Sequence, residues 1–288
     1  MNNKLTLTLT LLISAVAANA QSEIYLALGD SVPFGMNPLL LPPYTTTYPA
    51  ANKFVGYPEV FADLTHLPAK KLINAACPGE TSASFLNQNM PDLGCNTPRV
   101  PGAPPFKTVG LHSPYTTSQM DFANLKLAGN SRINLVSLMI GANDVLMVVP
   151  QLQQCGADQA CANAVLGPVL QAYAANLGTI LTNIRRRYQG TLVLTKYYSP
   201  APALDSVTVA LNTVMTQVAH QLAGPGFAPV QIADGFTAFK IAAFAKGGDA
   251  CAAGLLIRLT PTECDQHPNG KGQEILAFLV LLGQIAGH

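Results

Sequence analysis

The sequence predicts an α/β protein built on a parallel sheet covered by helices on both faces. Three observations carry this. Apolar runs of strand length alternate with longer segments whose apolar residues recur at helical spacing. Several of those runs are continuously apolar rather than alternating, as strands buried on both faces are. Polar residues follow the ends of three of the runs, at the rim where open parallel sheets bind ligands.

Residues 1–20, MNNKLTLTLTLLISAVAANA, stand apart from this pattern. Lys4 precedes a short apolar stretch ending in Ala18-Asn19-Ala20, the form of a secretory leader cleaved after Ala20. The stretch is shorter than the roughly 20 residues a membrane span needs, and threonines interrupt it. No other segment is expected to be long and apolar enough to cross a membrane. Residues 21–288 read as one domain, because no linker, repeat or low-complexity block divides them.

Residues 24–28 predict the first buried strand. Tyr57, Val60, Phe61 and Leu64 have helical spacing within 57–66. Residues 71–76 (KLINAA) predict a second short strand, and 90–114, rich in Pro and Gly, a long surface loop. Residues 133–140 (INLVSLMI) form another strand-length apolar run. Residues 160–188 predict a long helix with Arg185, Arg186 and Arg187 near its C-terminal end, where cations suit the helix dipole. A strand is expected at 191–195, a helix at 203–222 ending before Gly224-Pro225, a short strand at 230–233 and a final apolar helix at 273–285.

The charge balance excludes some partners. The chain has 16 Lys and Arg against 15 Asp and Glu, and Lys4 is the only charge in the leader. Without the leader the net charge is close to zero, which does not provide the basic face a nucleic-acid partner needs. Disorder does not fit a hydrophobic content of 49%. The six cysteines, Cys77, Cys95, Cys155, Cys161, Cys251 and Cys264, all follow the leader. An even count in an exported chain reads as disulfides, with more connectivities than sequence can decide between. They fall into three local couples, Cys77–Cys95, Cys155–Cys161 and Cys251–Cys264, the simplest pairing. No CxxC or HExxH spacing supports a metal site.

The rim residues could do chemistry. Ser31, in Gly29-Asp30-Ser31, follows the first strand. A serine hydroxyl attacks well only when a base takes its proton and a third group orients that base. Of the five histidines, His288 is the last residue, His66 and His220 sit in helical patterns and His112 lies in the long loop. His267 lies just before the last helix, and Asp265 precedes it by two residues, so one tight turn could bring carboxylate and ring together. Gly79 can offer a backbone N–H at close approach, and Asn143 an amide, as donors to a developing oxyanion. Each also has a plain reading. Gly79 could be a turn glycine after Pro78, Asn143 and Asp144 could cap a helix, and Asp30 could hold its own turn.

Their order along the chain decides between these readings. Gly29-Asp30-Ser31, then Asn74 with Gly79-Glu80-Thr81, then Gly141-x-Asn143-Asp144, then Asp265 and Pro268 around His267 resembles the SGNH, or GDSL, hydrolase family of esterases and lipases. The match spans nearly the whole chain after the leader. Val32 stands where the family's name has Leu, a departure that touches packing rather than chemistry. The resemblance implies a three-layer α/β/α fold with a central parallel sheet of about five strands in flavodoxin-like order. It implies Ser31 as nucleophile, His267 as general base and then acid, and Asp265 as its orienting carboxylate. The Ser31 and Gly79 N–H groups and the Asn143 side chain would form the oxyanion hole. The exported chain looks most like the secreted bacterial esterase and lipase branch, where three local disulfides are expected.

The implied reaction is acyl transfer from an ester to Ser31 and then to water, with no metal or organic cofactor and a small-molecule or lipid ester as partner. A monomer is expected, secreted or periplasmic. Carbohydrate acetylesterases and acyl thioesterases share these blocks and remain rivals. Residues 90–114 and 236–259 are expected to shape the pocket, although the second could equally be a core-facing helix. A non-catalytic exported binding protein would sooner have lost Ser31 or His267.

Overall fold

Five parallel strands make the central sheet: β1 (Ile24–Gly29), β2 (Leu72–Asn74), β3 (Ile133–Met139), β4 (Thr191–Lys196) and β5 (Val230–Asp234). Their order is β2-β1-β3-β4-β5, the flavodoxin-like arrangement that the family resemblance implies. The computed structural model describes residues 23–41, 47–130, 132–222, 224 and 226–287. The expected leader, 1–20, lies outside the described residues. β1 is buried along its whole length, and β3 and β4 nearly so, which explains their unbroken apolar runs.

Helices cover both faces. On one, α2 (Tyr57–Thr65) packs against α11 (Gly270–Ala286), and α11 against β4 and β5. On the other, α8 (Gln159–Arg185) packs between α5 (Gln119–Gly129) and α9 (Asp205–Leu222). The Asp158 side chain caps α8 by accepting from the Ala160 and Cys161 N–H groups. Tyr173, Leu177, Ile180, Leu181 and Ile184 form its buried stripe. The arginine cluster at its end differs from expectation. Arg185 is buried and donates to the carbonyls of Tyr188, Gly190 and Pro229, so it ties loop ends together rather than facing the dipole from solvent.

Three further expectations need correction. Among the described residues, α8 is long and apolar enough to cross a membrane by length and composition, through its many Ala, Val and Leu residues, which are spread along the helix rather than in one unbroken run. Residues 90–114 are not a loose surface loop. Cys95, Ala103, Phe106 and Leu111 are buried, and a short helix, α4 (Phe106–Val109), interrupts the segment. The Asp92 carboxylate holds it by accepting from the Gly94, Asn96 and Thr97 N–H groups, local bonds that periodicity does not reveal. The third correction is α5, which the sequence reading left out. Its apolar residues form no clear stripe, and its start is marked only by Ser118, which accepts from the Asp121 N–H.

A small antiparallel hairpin stands beside the main sheet: β6 (Leu256–Arg258) paired with β7 (Cys264–Pro268). Disulfides join Cys77 to Cys95, Cys155 to Cys161 and Cys251 to Cys264.

Candidate active site

The sheet aligns two loops at its C-terminal rim. Gly29 of β1 pairs with Met139 of β3, so the chains leave the sheet at the same level. Gly29 has φ +133°, and a Cβ there would sit 2.0 Å from the Met139 carbonyl oxygen. Only glycine allows this approach. Asp30 then caps the one-turn helix α1 (Ser31–Phe34), its carboxylate accepting from the Val32 N–H at 3.0 Å. Ser31 is thereby the first residue of a helix at the rim.

Opposite it stands β7. His267 Nε2 lies 2.8 Å from Ser31 Oγ. His267 Nδ1 is hydrogen-bonded to Asp265 Oδ1, which also accepts from the His267 backbone N–H at 2.9 Å. Burial pushes the Asp265 carboxyl up, but its bonds to the His267 side chain outweigh this and hold it below the usual range. The structure brings together Ser31, His267 and Asp265 in one hydrogen-bonded line.

Asn143 enters from β3. Gly141, at φ +127°, turns the chain against the Tyr173 ring, and α6 (Ala142–Leu146) starts there. Asn143 donates from Nδ2 to the Glu80 carbonyl at 2.8 Å and lines the same cleft as Ser31. Gly79 is placed differently. It has φ +84°, its carbonyl accepts from the Leu93 N–H at 2.9 Å, and a Cβ would fall 2.3 Å from the Leu93 carbonyl carbon. Gly79 is not among the residues lining the cleft; its turn joins the site through Glu80 and Asn143. Asp144 turns inward to accept from the Ser82 N–H and hydroxyl.

Several contributors escaped the sequence reading. Tyr197 follows β4 and donates its hydroxyl to Asp30 Oδ2, and Tyr198 donates to the Gln266 carbonyl at 2.6 Å. Burial pushes the Asp30 carboxyl up to about 6, against the lowering effect of the Tyr197 hydroxyl and the Val32 N–H. The rim rule applied to the end of β4 would have found both tyrosines.

A cleft of about 510 Å³ opens over Ser31 and His267. One wall is α6 and α7 (Val149–Cys155), through Val145, Leu146, Val149 and Leu152. The other is the stretch containing Pro200, Leu204, Val207 and Leu211 at the start of α9. Neither 90–114 nor 236–259 lines it, contrary to expectation. The loops after β3 and β4 stand over the nucleophile, whereas those two segments pack outside the rim. Cys77, Glu80 and Cys95 cluster closely, but the two sulfurs are joined as a disulfide and offer no thiolate to a metal.

Solved structures similar to the chain share its fold. The extracellular lipase from Streptomyces rimosus aligns at a TM-score of 0.54 with 18% identity, covering 92% of this chain and 100% of that one. Phospholipase A1 from Streptomyces albidoflavus NA297 aligns at 0.53 with 19% identity, over 91% and 99%. An acetyl xylan esterase from Geobacillus stearothermophilus aligns at 0.51 with 14% identity, over 92% and 95%. No curated protein sequence matches the chain. The model of the GDSL-like Lipase/Acylhydrolase family matches residues 27–275, nearly the whole described chain. The chain belongs to that family and is a carboxylic ester hydrolase.

Proposed function

We propose that the protein is an exported serine esterase that hydrolyses esters of apolar acyl chains through an acyl-enzyme on Ser31. The observation that carries this is the line from Ser31 Oγ to His267 Nε2, at 2.8 Å, and from His267 Nδ1 to Asp265. In the first step Ser31 Oγ bonds to the ester carbonyl carbon while His267 Nε2 takes the hydroxyl proton. Asp265 keeps Nδ1 protonated and steadies the imidazolium. The carbonyl oxygen becomes an oxyanion, which takes the Ser31 N–H and the second N–H of the Asn143 amide, while the Gly79 turn, outside the cleft lining, supports Asn143 through the Glu80 carbonyl. His267 then gives its proton to the leaving alcohol. Water repeats the sequence, His267 taking its proton, and the carboxylic acid leaves.

The cleft favours acyl chains over sugars. Its walls are mostly Val, Leu and Ala, with Gln153 and Thr208 as polar side chains on them, and its volume of about 510 Å³ is that of a small-molecule pocket. Three disulfides suit an oxidising compartment, in keeping with a leader cleaved after Ala20. One catalytic domain, 21–288, acting as a monomer, completes the reading. The test is hydrolysis of p-nitrophenyl esters from acetate to palmitate by the wild type and Ser31→Ala. Turnover lost in the variant and rising with chain length beyond acetate is expected. Turnover confined to acetate would move the protein to the acetylesterases. A Ser31→Ala enzyme as active as wild type would overturn the mechanism.

A further inference from the structure

Glu80 is the most deeply buried acid beside the site, and the acyl-transfer steps make no use of its carboxylate. Its side chain has no exposed surface. A carboxyl so placed is costly unless its bonds serve the fold or the site. Its backbone carbonyl accepts from Asn143 Nδ2 at 2.8 Å. One carboxylate oxygen accepts from Gln119 Nε2 at 3.0 Å, the other from Ser84 Oγ at 3.0 Å and Asn96 Nδ2 at 3.3 Å. Gln119 in turn grips both backbone groups of Gly29. Its Oε1 accepts from the Gly29 N–H at 2.6 Å, and its Nε2 donates to the Gly29 carbonyl at 3.0 Å.

These bonds form a continuous connection. It starts at Gly29, two residues before the nucleophile, passes through Gln119 to the Glu80 carboxylate, and leaves by the Glu80 carbonyl to Asn143. We propose that Glu80 is a positioning residue of the oxyanion hole, fixing the Asn143 amide relative to Ser31 through its carbonyl and, by way of Gln119, through its carboxylate. The inference rests on the roles given above to Ser31 and Asn143.

The chemistry of the amide explains why such a post is needed. Asn143 has two N–H groups. The one bound to Glu80 fixes the amide plane and which end is nitrogen. The other is thereby aimed before any substrate arrives, which is the condition for an oxyanion donor to act without reorganisation. A carbonyl on a free turn would not hold that direction. The Glu80 turn is instead held at three points. The Glu80 N–H donates to the Cys77 carbonyl at 3.2 Å, the Cys77–Cys95 disulfide lies beneath it, and the carboxylate is anchored by Gln119.

The test compares Glu80→Ala, Glu80→Asp, Glu80→Gln and Asn143→Ala, with Glu80→Ala and Glu80→Asp each also combined with Asn143→Ala, all as the disulfide-bonded protein. Two quantities are read: kcat and KM on one p-nitrophenyl ester, and the affinity for an alkylboronic acid, whose tetrahedral adduct on serine occupies the oxyanion hole. Glu80→Ala is expected to lower kcat about 10- to 100-fold, short of the loss of a donor itself, with KM within about 3-fold. Boronate affinity should fall in parallel. Glu80→Gln keeps an oxygen for Gln119 and should recover kcat to within about 5-fold of wild type. On the Asn143→Ala background, Glu80→Ala should cost less than about 3-fold, because the group it positions is already gone. Glu80→Asp is too short to reach Gln119; it serves where Glu80→Ala does not fold and should show the same coupling to Asn143. The inference is overturned if the Ala and Asp variants keep wild-type kcat and boronate affinity. It is equally overturned if their loss is undiminished on the Asn143→Ala background. Ser31→Ala, measured alongside, separates the two levels, since an active Ser31→Ala would remove the esterase reading itself.

Discussion

The two halves of the site are supported in different ways. Ser31 and Asn143 leave the paired strands β1 and β3, in the middle of the five-stranded sheet, and are held from below by buried side chains such as Asp30, Glu80 and Gln119. Asp265 and His267 sit on a two-stranded hairpin outside the sheet, half-buried and stapled by Cys251–Cys264. The nucleophile side is fixed by a core, by buried hydrogen bonds and by the fully buried Cys77–Cys95 bridge. The base side is fixed by a covalent link and a few bonds, among them Tyr198 to the Gln266 carbonyl. A catalytic line that spans both is only as well aligned as its weaker support. The halves should therefore fail under different stresses, buried ionisation for one and loss of the half-buried Cys251–Cys264 bridge for the other.

The largest effects ignore that difference. Ser31→Ala and His267→Ala each remove a reacting group, and each should lower kcat by about 10⁴-fold or more. Equal losses in the single and double variants would show that the two residues act as one unit. Purely additive losses would separate them. Asn143→Ala comes next and affects the nucleophile side alone, with an expected loss of roughly 10²–10³ in kcat and little change in KM. An unchanged kcat would remove Asn143 from the oxyanion hole.

Breaking the staple on the base side should cost less, and in a different quantity. The Cys251–Cys264 bridge closes a short loop whose second cysteine precedes Asp265. Replacing both cysteines by Ser should lower stability by about 2–4 kcal/mol and kcat by about 10-fold, as the Asp265–His267 turn loosens. The same replacement at Cys155–Cys161, which joins α7 to the start of α8, should leave kcat closer to wild type. Equal activity losses from the two bridges would erase the contrast between the halves.

The two halves were also unequally legible. Ser31 and Asn143 could be placed because each follows a strand end that its apolar run marks, and His267 because Asp265 precedes it by two residues just before the last helix. The order of the sheet is what the resemblance to a known family implies. The supports were not legible. Gln119 contacts Gly29 across 90 residues with no local signature, and Tyr197 contacts Asp30 across 167, a partner that its place at the end of β4 does not reveal. The cleft walls were misplaced for a related reason. Composition marked 90–114 and 236–259 as unusual, but pocket walls are chosen by which loops leave the sheet beside the nucleophile. Those are the loops after β3 and β4. The long helix α8 is expected from the sequence, at 160–188, whereas α5 is not, because its apolar residues form no stripe.

The effect with the least expected change in kcat separates the halves by the sign of a pH dependence. Burial pushes the Glu80 carboxyl from 4.5 up to about 7, with Lys107 and Gln119 pulling the other way. Above its ordinary value the unfolded chain has released this proton, while the folded protein still holds it until about pH 7. The folded state then binds more protons, so stability falls as pH rises through that window. Asp265 behaves oppositely. Its carboxyl is held below the usual range, so the stability it contributes is present at neutral pH and lost as pH falls through its lowered value. Acid should thus relax the nucleophile side and weaken the base side. Glu80→Gln removes the first term and leaves the second. The melting temperature of Glu80→Gln minus that of wild type should therefore rise between about pH 4.5 and 7. The stability difference over that window should be about 3 kcal/mol, or several degrees for a chain of this size. Thermal melts at half-unit pH steps measure this directly. A difference that stays flat across the window would mean that Glu80 ionises as it does in the unfolded chain, and that burial on the nucleophile side carries no charge penalty.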